Sequence, residues 1–165
     1  MRADLHCHSS ASDGTRPPAE VITRAAAAGL DLIALTDHDT VAGIAAAADA
    51  LPQGLSLIPG MELSCRRDGH SVHLLGYLFD PEHTELAAQV QEIRHSRVER
   101  ARAMVARLNE LDVPVTWEQV RAIAGDGVIG RPHIARAMIG AGVISSLDEA
   151  FTPEWIGPGD RKSVV

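Results

Sequence analysis

Short apolar runs alternate with amphipathic stretches over the first eighty residues of the chain. Four of the apolar runs have the length and composition of β-strands, and the alanine-rich stretches between them have helical spacing. The predicted strands contain Ala3-Asp4-Leu5, Leu32 to Leu35, Leu55 to Leu63 with an interruption at Pro59-Gly60, and Val72 to Phe79, and the predicted helices run from Pro18 to Ala28 and from Val41 to Ala50. This alternation predicts an α/β fold built from βα units with a mostly parallel sheet.

The pattern changes after residue 82, where helical spacing replaces the alternation. Apolar residues at intervals of three and four predict one long amphipathic helix from Glu85 to Leu111. Two shorter helices should follow, from Trp117 to Ala124 and from Pro132 to Ile139, with Gly125-Asp126-Gly127 as a loop. No strand pattern resumes, so we expect residues 1–82 and 83–159 to form an α/β domain and a helical subdomain.

The charge and cysteine content of the chain limit the classes of function that we expect. The chain has 22 acidic and 15 basic residues and a formal charge of −7, so it offers no general attraction to a nucleic-acid backbone. Two cysteines imply no disulfide framework, and the start of the chain lacks the pattern of a secretory signal. We expect a cytoplasmic protein without membrane association, and nothing in the sequence implies a stable protein partner.

Residues of metal-ligand type follow or lie on each predicted strand. Because the carboxyl ends of parallel strands meet at one edge of a sheet, these side chains should lie close together. Period-two alternation also places the first two histidines on one face of their strand. The residues are His6, His8, Asp13, the segment Thr36-Asp37-His38-Asp39, Glu62 and His73.

A single histidine of this kind has roughly a one-in-ten chance of binding a metal, but their joint placement beside carboxylates favours a metal centre. Imidazole and carboxylate ligands suit zinc, manganese or iron better than magnesium or calcium. Several such ligands indicate two or three ions. In contrast, His70, His83 and His95 occupy turn or helix-surface positions, where we expect solvated side chains.

Four segments, DLHCHSSASDGT, LIALTDHDT, GMELSC and HLLGY, resemble the successive motifs of the polymerase and histidinol phosphatase (PHP) family. The resemblance runs in order from Asp4 to Tyr77 and is closest to the branch of metal-dependent phosphoesterases and nucleoside 3′,5′-bisphosphate phosphatases. It implies a distorted (β/α)7 TIM-like barrel with an inserted small helical subdomain, and two or three divalent ions, with manganese favoured over zinc or iron. The implied ligands are His6, His8, Asp13, His38, Glu62 and His73.

The reaction implied by the resemblance is hydrolysis of a phosphate ester by a metal-activated hydroxide. The expected substrates are nucleoside 3′,5′-bisphosphates or the 5′ ends of short oligonucleotides. Clustered metals make a protein nucleophile unnecessary, and the sequence contains no arrangement typical of one. We therefore expect no catalytic residues beyond the metal ligands.

A second short motif, Gly130-Arg131-Pro132-His133, suggests a substrate phosphate site. Arg131 at a helix start could add guanidinium donors to free backbone N–H groups, and His133 could contact the same phosphate. An ordinary helix start with a surface arginine is about equally consistent with one short motif. We interpret Arg94, Arg97 and Arg100 as a solvated helix face and Cys7 as a buried thiol.

The PHP pattern also requires a later histidine and an Asp-x-His pair, and neither occurs after His133. Residues 160–165 are the translation of a common sequencing-adapter sequence, so we expect a truncated chain with a non-native tail. Such a fragment should be weakly active or inactive. Two alternatives stay open: a metal-dependent amidohydrolase, whose class also begins with a His-x-His strand, and a non-catalytic metal-binding PHP module.

Overall fold

A computed structural model describes residues 1–68 and 70–157 of the chain. The predicted tail at residues 160–165 lies outside these ranges. The described residues contain the strands β1 (Ala3–Cys7), β2 (Leu32–Leu35), β3 (Ser56–Arg67) and β4 (His70–Tyr77). The helices are α1 (Pro18–Ala27), α2 (Ile44–Asp49), α3 (Thr84–Glu110), α4 (Trp117–Ala124), α5 (Arg131–Gly140) and α6 (Leu147–Ala150). The predicted α/β class is confirmed.

The strands form one mixed sheet in the order β1-β2-β3-β4. The pairings β1–β2 and β2–β3 are parallel, as predicted, whereas β4 is antiparallel to β3. The mostly parallel sheet that the alternation predicted is thus confirmed, with one antiparallel strand at its edge. Only residues 68 and 69 separate β3 from β4, which suits a hairpin, whereas a parallel crossover needs a dozen residues or more.

Strand β3 changes its partner at Pro59 and Gly60. Up to Pro59 it pairs with β2, and from Gly60 it pairs with β4. A Cβ at Gly60 would lie 2.9 Å from Thr36 Cγ2 and 3.0 Å from the carbonyl oxygen of Gly76, so glycine leaves room for both neighbours. The Pro-Gly pair thus marks a change of partner and does not interrupt the strand. Glu62, predicted at the end of a strand, lies in the middle of β3.

The sheet is curved enough to connect its two outer strands. Tyr77 Oη in β4 donates a 2.7 Å hydrogen bond to the carbonyl oxygen of Leu5 in β1, although β2 and β3 lie between these strands in the sheet order. The mixed sheet forms half of a barrel, in agreement with the predicted partial barrel. Curvature of this kind brings side chains from both outer strands toward the same site.

Helices α1 and α2 contribute to the apolar core beside the sheet. Helix α1 has Pro at its first position and is followed by Gly29 with a φ of 73°, so both predicted boundary signals are present. Its buried residues pack with residues of β2, α2 and the start of β3. The buried residues of this core are Val21, Ile22, Ala25, Ile33, Leu35, Ala47 and Leu55.

The chain divides into two compact units. The first comprises Met1–Ile93 and Asp126–Val128, and the second comprises Arg94–Gly125 and the described residues from Ile129 onward. This division by compactness falls within α3 and near the predicted boundary after residue 82. The boundary between residues 1–82 and 83–159 stays a prediction.

The second unit is helical, and it has its own apolar core. Helix α4 begins at a capping box in which Thr116 and Gln119 each accept a hydrogen bond from the other's backbone N–H, and its bounds match the prediction. Helix α6 was not predicted. The core contains Ala101, Met104, Val105, Leu108, Val113, Val115, Val120, Ile134, Ala135, Ala137, Met138, Ile144, Ala150 and Ile156.

Candidate metal centre

All six predicted ligands converge in the first unit. Their ligand atoms form three overlapping groups, within each of which the atoms lie within 4.8 Å of one another. The groups share members, so the cluster has the layout of adjacent sites with common ligands. They are His6 with His8 and Glu62, His8 with Asp13 and His38, and His38 with Glu62 and His73.

Glu62 lies at the centre of the cluster and is nearly buried, with 5% of its side chain exposed. His6 Nε2 donates a 2.8 Å hydrogen bond to Glu62 Oε2, and His8 Nε2 lies 2.7 Å from the same oxygen. His73 Nδ1 contacts Glu62 Oε1. The histidines at the rim are more accessible, since 52% of the His6 side chain is exposed. The cluster is therefore open to small molecules on one side.

A local irregularity in β1 positions the first two histidines. The register between β1 and β2 shifts between Asp4 and Cys7, and a shift of this kind re-aims a side chain. The backbone N–H of His6 donates to Asp4 Oδ1, and the rings of His6 and His8 lie 5.1 Å apart. His6 and His8 thus lie in one site, as the alternation predicted, but on an irregular strand.

The segment after β2 places His38 against Glu62. These two residues form an isolated parallel bridge, in which the Asp39 N–H donates to the Glu62 carbonyl at 3.1 Å. Asp39 has a left-handed backbone with a φ of 50° and is buried. It accepts hydrogen bonds from the N–H and Oγ of Ser64 at 2.7 and 2.8 Å. The sequence places Asp39 among the residues of metal-ligand type, whereas these bonds show that it joins the segment to β3.

Charges in the cluster shift the pKa values of two of its members in the metal-free protein. Burial alone would lower the pKa of His8, but its hydrogen bond to Asp13 and the charges of Asp13, Glu62 and Asp37 raise it above the usual value. Burial alone would raise the pKa of Glu62, but the histidines around it lower it. Each shift favours the charged form of its residue in the metal-free protein.

The residues of the cluster fit a divalent metal. His8 Nδ1 contacts Asp13 Oδ1 at 2.9 Å, whereas His8 Nε2 is buried and has no hydrogen-bond partner among the described residues despite its closeness to Glu62. His8 Nε2 and Glu62 Oε2 therefore lie close together without a hydrogen bond between them. A cation satisfies both groups, so this set of imidazole and carboxylate side chains is able to bind a divalent metal.

The other residues singled out from the sequence have varied surroundings. His70, His83 and His95 are exposed, as predicted, but Arg97 is buried, so its assignment to a solvated face is wrong. Arg97 lies on the face of α3 that also buries Ala101 and Met104. Cys7 is only half-buried, and burial together with the charges of Asp4 and Asp37 raises the pKa of its thiol.

The two predicted substrate-binding residues lie at the start of α5 in the second unit. Arg131 is exposed, and its guanidinium carbon lies 5.8 Å from the centre of the Phe151 ring. His133 is buried, and its Nδ1 accepts a 3.0 Å hydrogen bond from the backbone N–H of Gly130. One ring nitrogen of His133 is thus engaged in capping its own helix. The substrate-binding role of both residues stays a prediction.

A half-barrel with histidines and carboxylates clustered around a buried glutamate defines an α/β protein with a candidate metal centre. The family model for the PHP domain matches residues 4–111. The chain belongs to the PHP domain family.

Two curated relatives illustrate the functions found in this family. The chain is 38% identical over 157 residues to a 5′-3′ exoribonuclease of Haemophilus influenzae, covering 94% of this chain and 57% of the relative. It is 39% identical over 158 residues to a 3′,5′-nucleoside bisphosphate phosphatase of Chromobacterium violaceum, covering 94% of this chain and 55% of the relative. The chain therefore spans about half the length of these relatives.

Two solved structures have the same fold. A Bifidobacterium adolescentis protein, solved as a candidate metal-dependent phosphoesterase, matches with a TM-score of 0.87 and 35% identity over 96% of this chain and 59% of its own. A Chromobacterium violaceum protein described as an amidohydrolase with bound sulfate and no metal matches with a TM-score of 0.88 and 38% identity over 97% of this chain and 57% of its own. Both likenesses confirm the predicted partial barrel.

None of the helices in the described ranges combines the length and the hydropathy that a membrane crossing requires.

Proposed function

We propose that the protein containing this chain is a metal-dependent phosphoesterase. Its substrates are nucleoside 3′,5′-bisphosphates or the 5′ ends of short oligonucleotides. The observation that supports this proposal most directly is the convergence of five imidazole and carboxylate side chains around Glu62. The names of the two curated relatives support the nucleotide substrates.

The six clustered residues hold two or three divalent ions in this proposal, with manganese favoured and zinc or iron as alternatives. When bound, such ions neutralise charge on phosphoryl oxygens and lower the pKa of water. Glu62 and His38, both buried, hold the floor of the site, whereas His6 and His73 lie at its accessible rim. Asp13 fixes the orientation of the His8 ring through their hydrogen bond. No protein side chain serves as nucleophile.

A structural neighbour also supports a substrate that carries a phosphate group. The Chromobacterium violaceum structure contains bound sulfate, a tetrahedral anion of the same shape as phosphate. In this chain we assign phosphate binding to Arg131 at the start of α5, with His133 beside it in the same helix. The Arg131→Ala variant should raise KM for a nucleoside bisphosphate and leave kcat nearly unchanged, with Arg121→Ala on α4 as the matched control. An unchanged KM would remove Arg131 from the proposal.

The test of the main proposal is manganese-dependent phosphate release from a nucleoside 3′,5′-bisphosphate. The complete reading frame that contains this chain is assayed beside the 165-residue chain, with His8→Ala as the control. We expect release by the longer protein, its loss in His8→Ala, and weak or no release by the shorter chain. If the longer protein binds manganese and releases no phosphate from any nucleotide, the phosphoesterase assignment fails.

An amidohydrolase is the second candidate, because the description of one structural neighbour names that activity. Amide hydrolysis measured on the same preparations separates the two enzymes. A non-catalytic metal-binding module is the third, and it predicts metal binding without turnover of either substrate class. A cytoplasmic location follows from the proposed nucleotide substrates and is part of the same proposal.

A further inference from the structure

Asp37 lies next to the candidate ligand His38, but it belongs to none of the groups that could hold an ion, and its carboxylate bonds to two serines. Its carboxylate accepts hydrogen bonds from the Ser9 N–H at 2.7 Å, from Ser9 Oγ at 2.6 Å and from Ser12 Oγ at 2.6 Å. All three residues are buried, with exposed fractions of 0 to 2%. We name this group of Asp37, Ser9 and Ser12 the serine clamp.

The serine clamp joins the two segments that carry candidate ligands of one group. Ser12 immediately precedes Asp13, whose carboxylate contacts His8 Nδ1 at 2.9 Å and lies 3.5 Å from His38 Nε2. Asp37 immediately precedes His38. The clamp therefore fixes the residue before Asp13 to the residue before His38, and it determines how these two ligand-type side chains face each other.

The surroundings of the serine clamp leave little freedom to rearrange. A Cβ at Gly43 would lie 3.0 Å from Asp37 Oδ2, so the backbone at the start of α2 closes over the carboxylate. A Cβ at Gly14 would lie 2.6 Å from the carbonyl oxygen of His8, so the loop returns tightly onto its own beginning. A buried carboxylate with three short, charge-assisted donors is a strong constraint on such a loop.

We propose that Asp37 is a positioning residue, which acts through Ser9 and Ser12 to hold Asp13 and His8 in place for metal binding. This inference rests on the proposed metal centre. It assigns Asp37 no contact with metal or substrate.

The first test uses the metal-free 165-residue chain and the Ser12→Ala variant. The loop keeps its other bonds in this variant, including Gly14 N–H to Ser9 carbonyl and Val128 N–H to Ala11 carbonyl, so the fold should persist. We expect the ¹⁵N resonance of His8 Nδ1 to move at fixed pH, because its Asp13 partner is no longer held. Ser64→Ala, which removes a hydroxyl from the other buried aspartate, Asp39, is the matched control and should move it much less.

The second test measures manganese affinity by calorimetry. Loss of a direct outer partner of a metal ligand typically weakens metal binding by roughly 10- to 100-fold. Ser12 bonds to Asp37, which is not itself a ligand, so we expect Ser12→Ala to weaken binding by about 10-fold, at the lower end of this range. If Ser12 acts through Asp13, the same substitution in an Asp13→Ala background should change affinity by less than about twofold. A general loss of stability would weaken binding equally in both backgrounds.

The outcomes separate this inference from the proposed function. An unmoved His8 resonance, or an equal loss of affinity with and without Asp13, overturns the role of the serine clamp even if manganese binds. If the wild-type chain binds no manganese, the proposed metal centre fails in this chain, and the His8 resonance alone then decides whether Asp37 holds Asp13 in place.

Discussion

Glu62 combines a nearly buried position with imidazole contacts on both oxygens of its carboxylate. It belongs to two of the three groups that could hold an ion, which no single histidine at the rim does. A carboxylate in this position can serve two neighbouring ions at once. At the scale of single residues, the metal centre should therefore depend on Glu62 more than on His6 or His73.

Glu62→Gln should weaken manganese binding by more than about 100-fold, because losing a ligand exceeds the roughly 10- to 100-fold cost of losing an outer partner. Calorimetric titration measures the change. Glu82→Gln, an exposed substitution of the same type in the same unit, is the control and should bind as the wild type does. Wild-type affinity in Glu62→Gln would contradict the assignment of Glu62 as a ligand.

Glu149 in the second unit gives a pH dependence that is independent of metal. The backbone N–H and the hydroxyl of Ser145 donate to its carboxylate, at 2.8 and 3.0 Å, and lower its pKa below the usual value of 4.5. A lowered folded-state pKa stabilises the protein above the unfolded pKa, and this contribution is lost as pH falls through the folded value. The wild type should therefore be more stable than Glu149→Gln near pH 6, and the difference should shrink below pH 4.5.

Urea unfolding of both proteins at several pH values measures this difference, with Glu154→Gln as an exposed control. A gap between wild type and Glu149→Gln that stays constant down to pH 3 would contradict the carboxylate as its source.

The sequence was sufficient to predict which residues converge, but not how the serine and aspartate residues around them are used. Position after a strand identified His6, His8, Asp13 and His38 together, and their service as ligands stays a prediction. Asp37 and Asp39 resemble ligands by type and place, and only their hydrogen bonds to Ser9, Ser12 and Ser64 distinguish them. Hydrogen-bond partners distant in sequence leave no local pattern to read.

At the scale of elements, the change of partner in β3 depends on the absence of a side chain at Gly60. Gly60→Ala should lower the free energy of unfolding by about 1–3 kcal/mol, because its Cβ would approach Thr36 Cγ2 and the Gly76 carbonyl at 2.9 and 3.0 Å. Chemical denaturation followed by circular dichroism measures the loss.

Gly76→Ala is the matched control for this prediction. It lies in the neighbouring strand β4, and its nearest contact would be an ordinary 3.6 Å to Phe79. We expect Gly76→Ala to lower the free energy of unfolding by no more than about 0.5 kcal/mol, as is usual for surface substitutions. Equal costs at both glycines would show that the crowding at Gly60 is relieved by movement of the strands.

Elements with signals in adjacent residues were predicted well, and those set by pairing were not. Pro18 and Gly29 marked the ends of α1, and the loop Gly125-Asp126-Gly127 marked the end of α4. The hairpin of β3 and β4 was missed because apolar runs look alike whichever direction their partner takes. Helix α6, with only four residues, is too short to show a period.

At the scale of the whole molecule, all six candidate ligands belong to the first unit, and the second unit has a separate apolar core. Each group within the cluster supplies three residues, which leaves coordination positions for other ligands. We therefore expect this chain to bind metal measurably even where its turnover of substrate is weak.

Hydrogen–deuterium exchange with and without manganese tests this separation along the whole chain. A ligand at 100 times its Kd stabilises the state that binds it by about 2.7 kcal/mol, which corresponds to roughly 100-fold slower exchange where opening breaks the site. We expect this protection near residues 36–39 and 60–64 in the first unit, and little change in the core of the second unit, which carries none of the candidate ligands. His8→Ala should reduce the protection, because it removes a member of two groups and leaves only the group of His38, Glu62 and His73 complete. Equal protection of both units, or undiminished protection in His8→Ala, would mean that manganese stabilises the chain at a place other than this cluster.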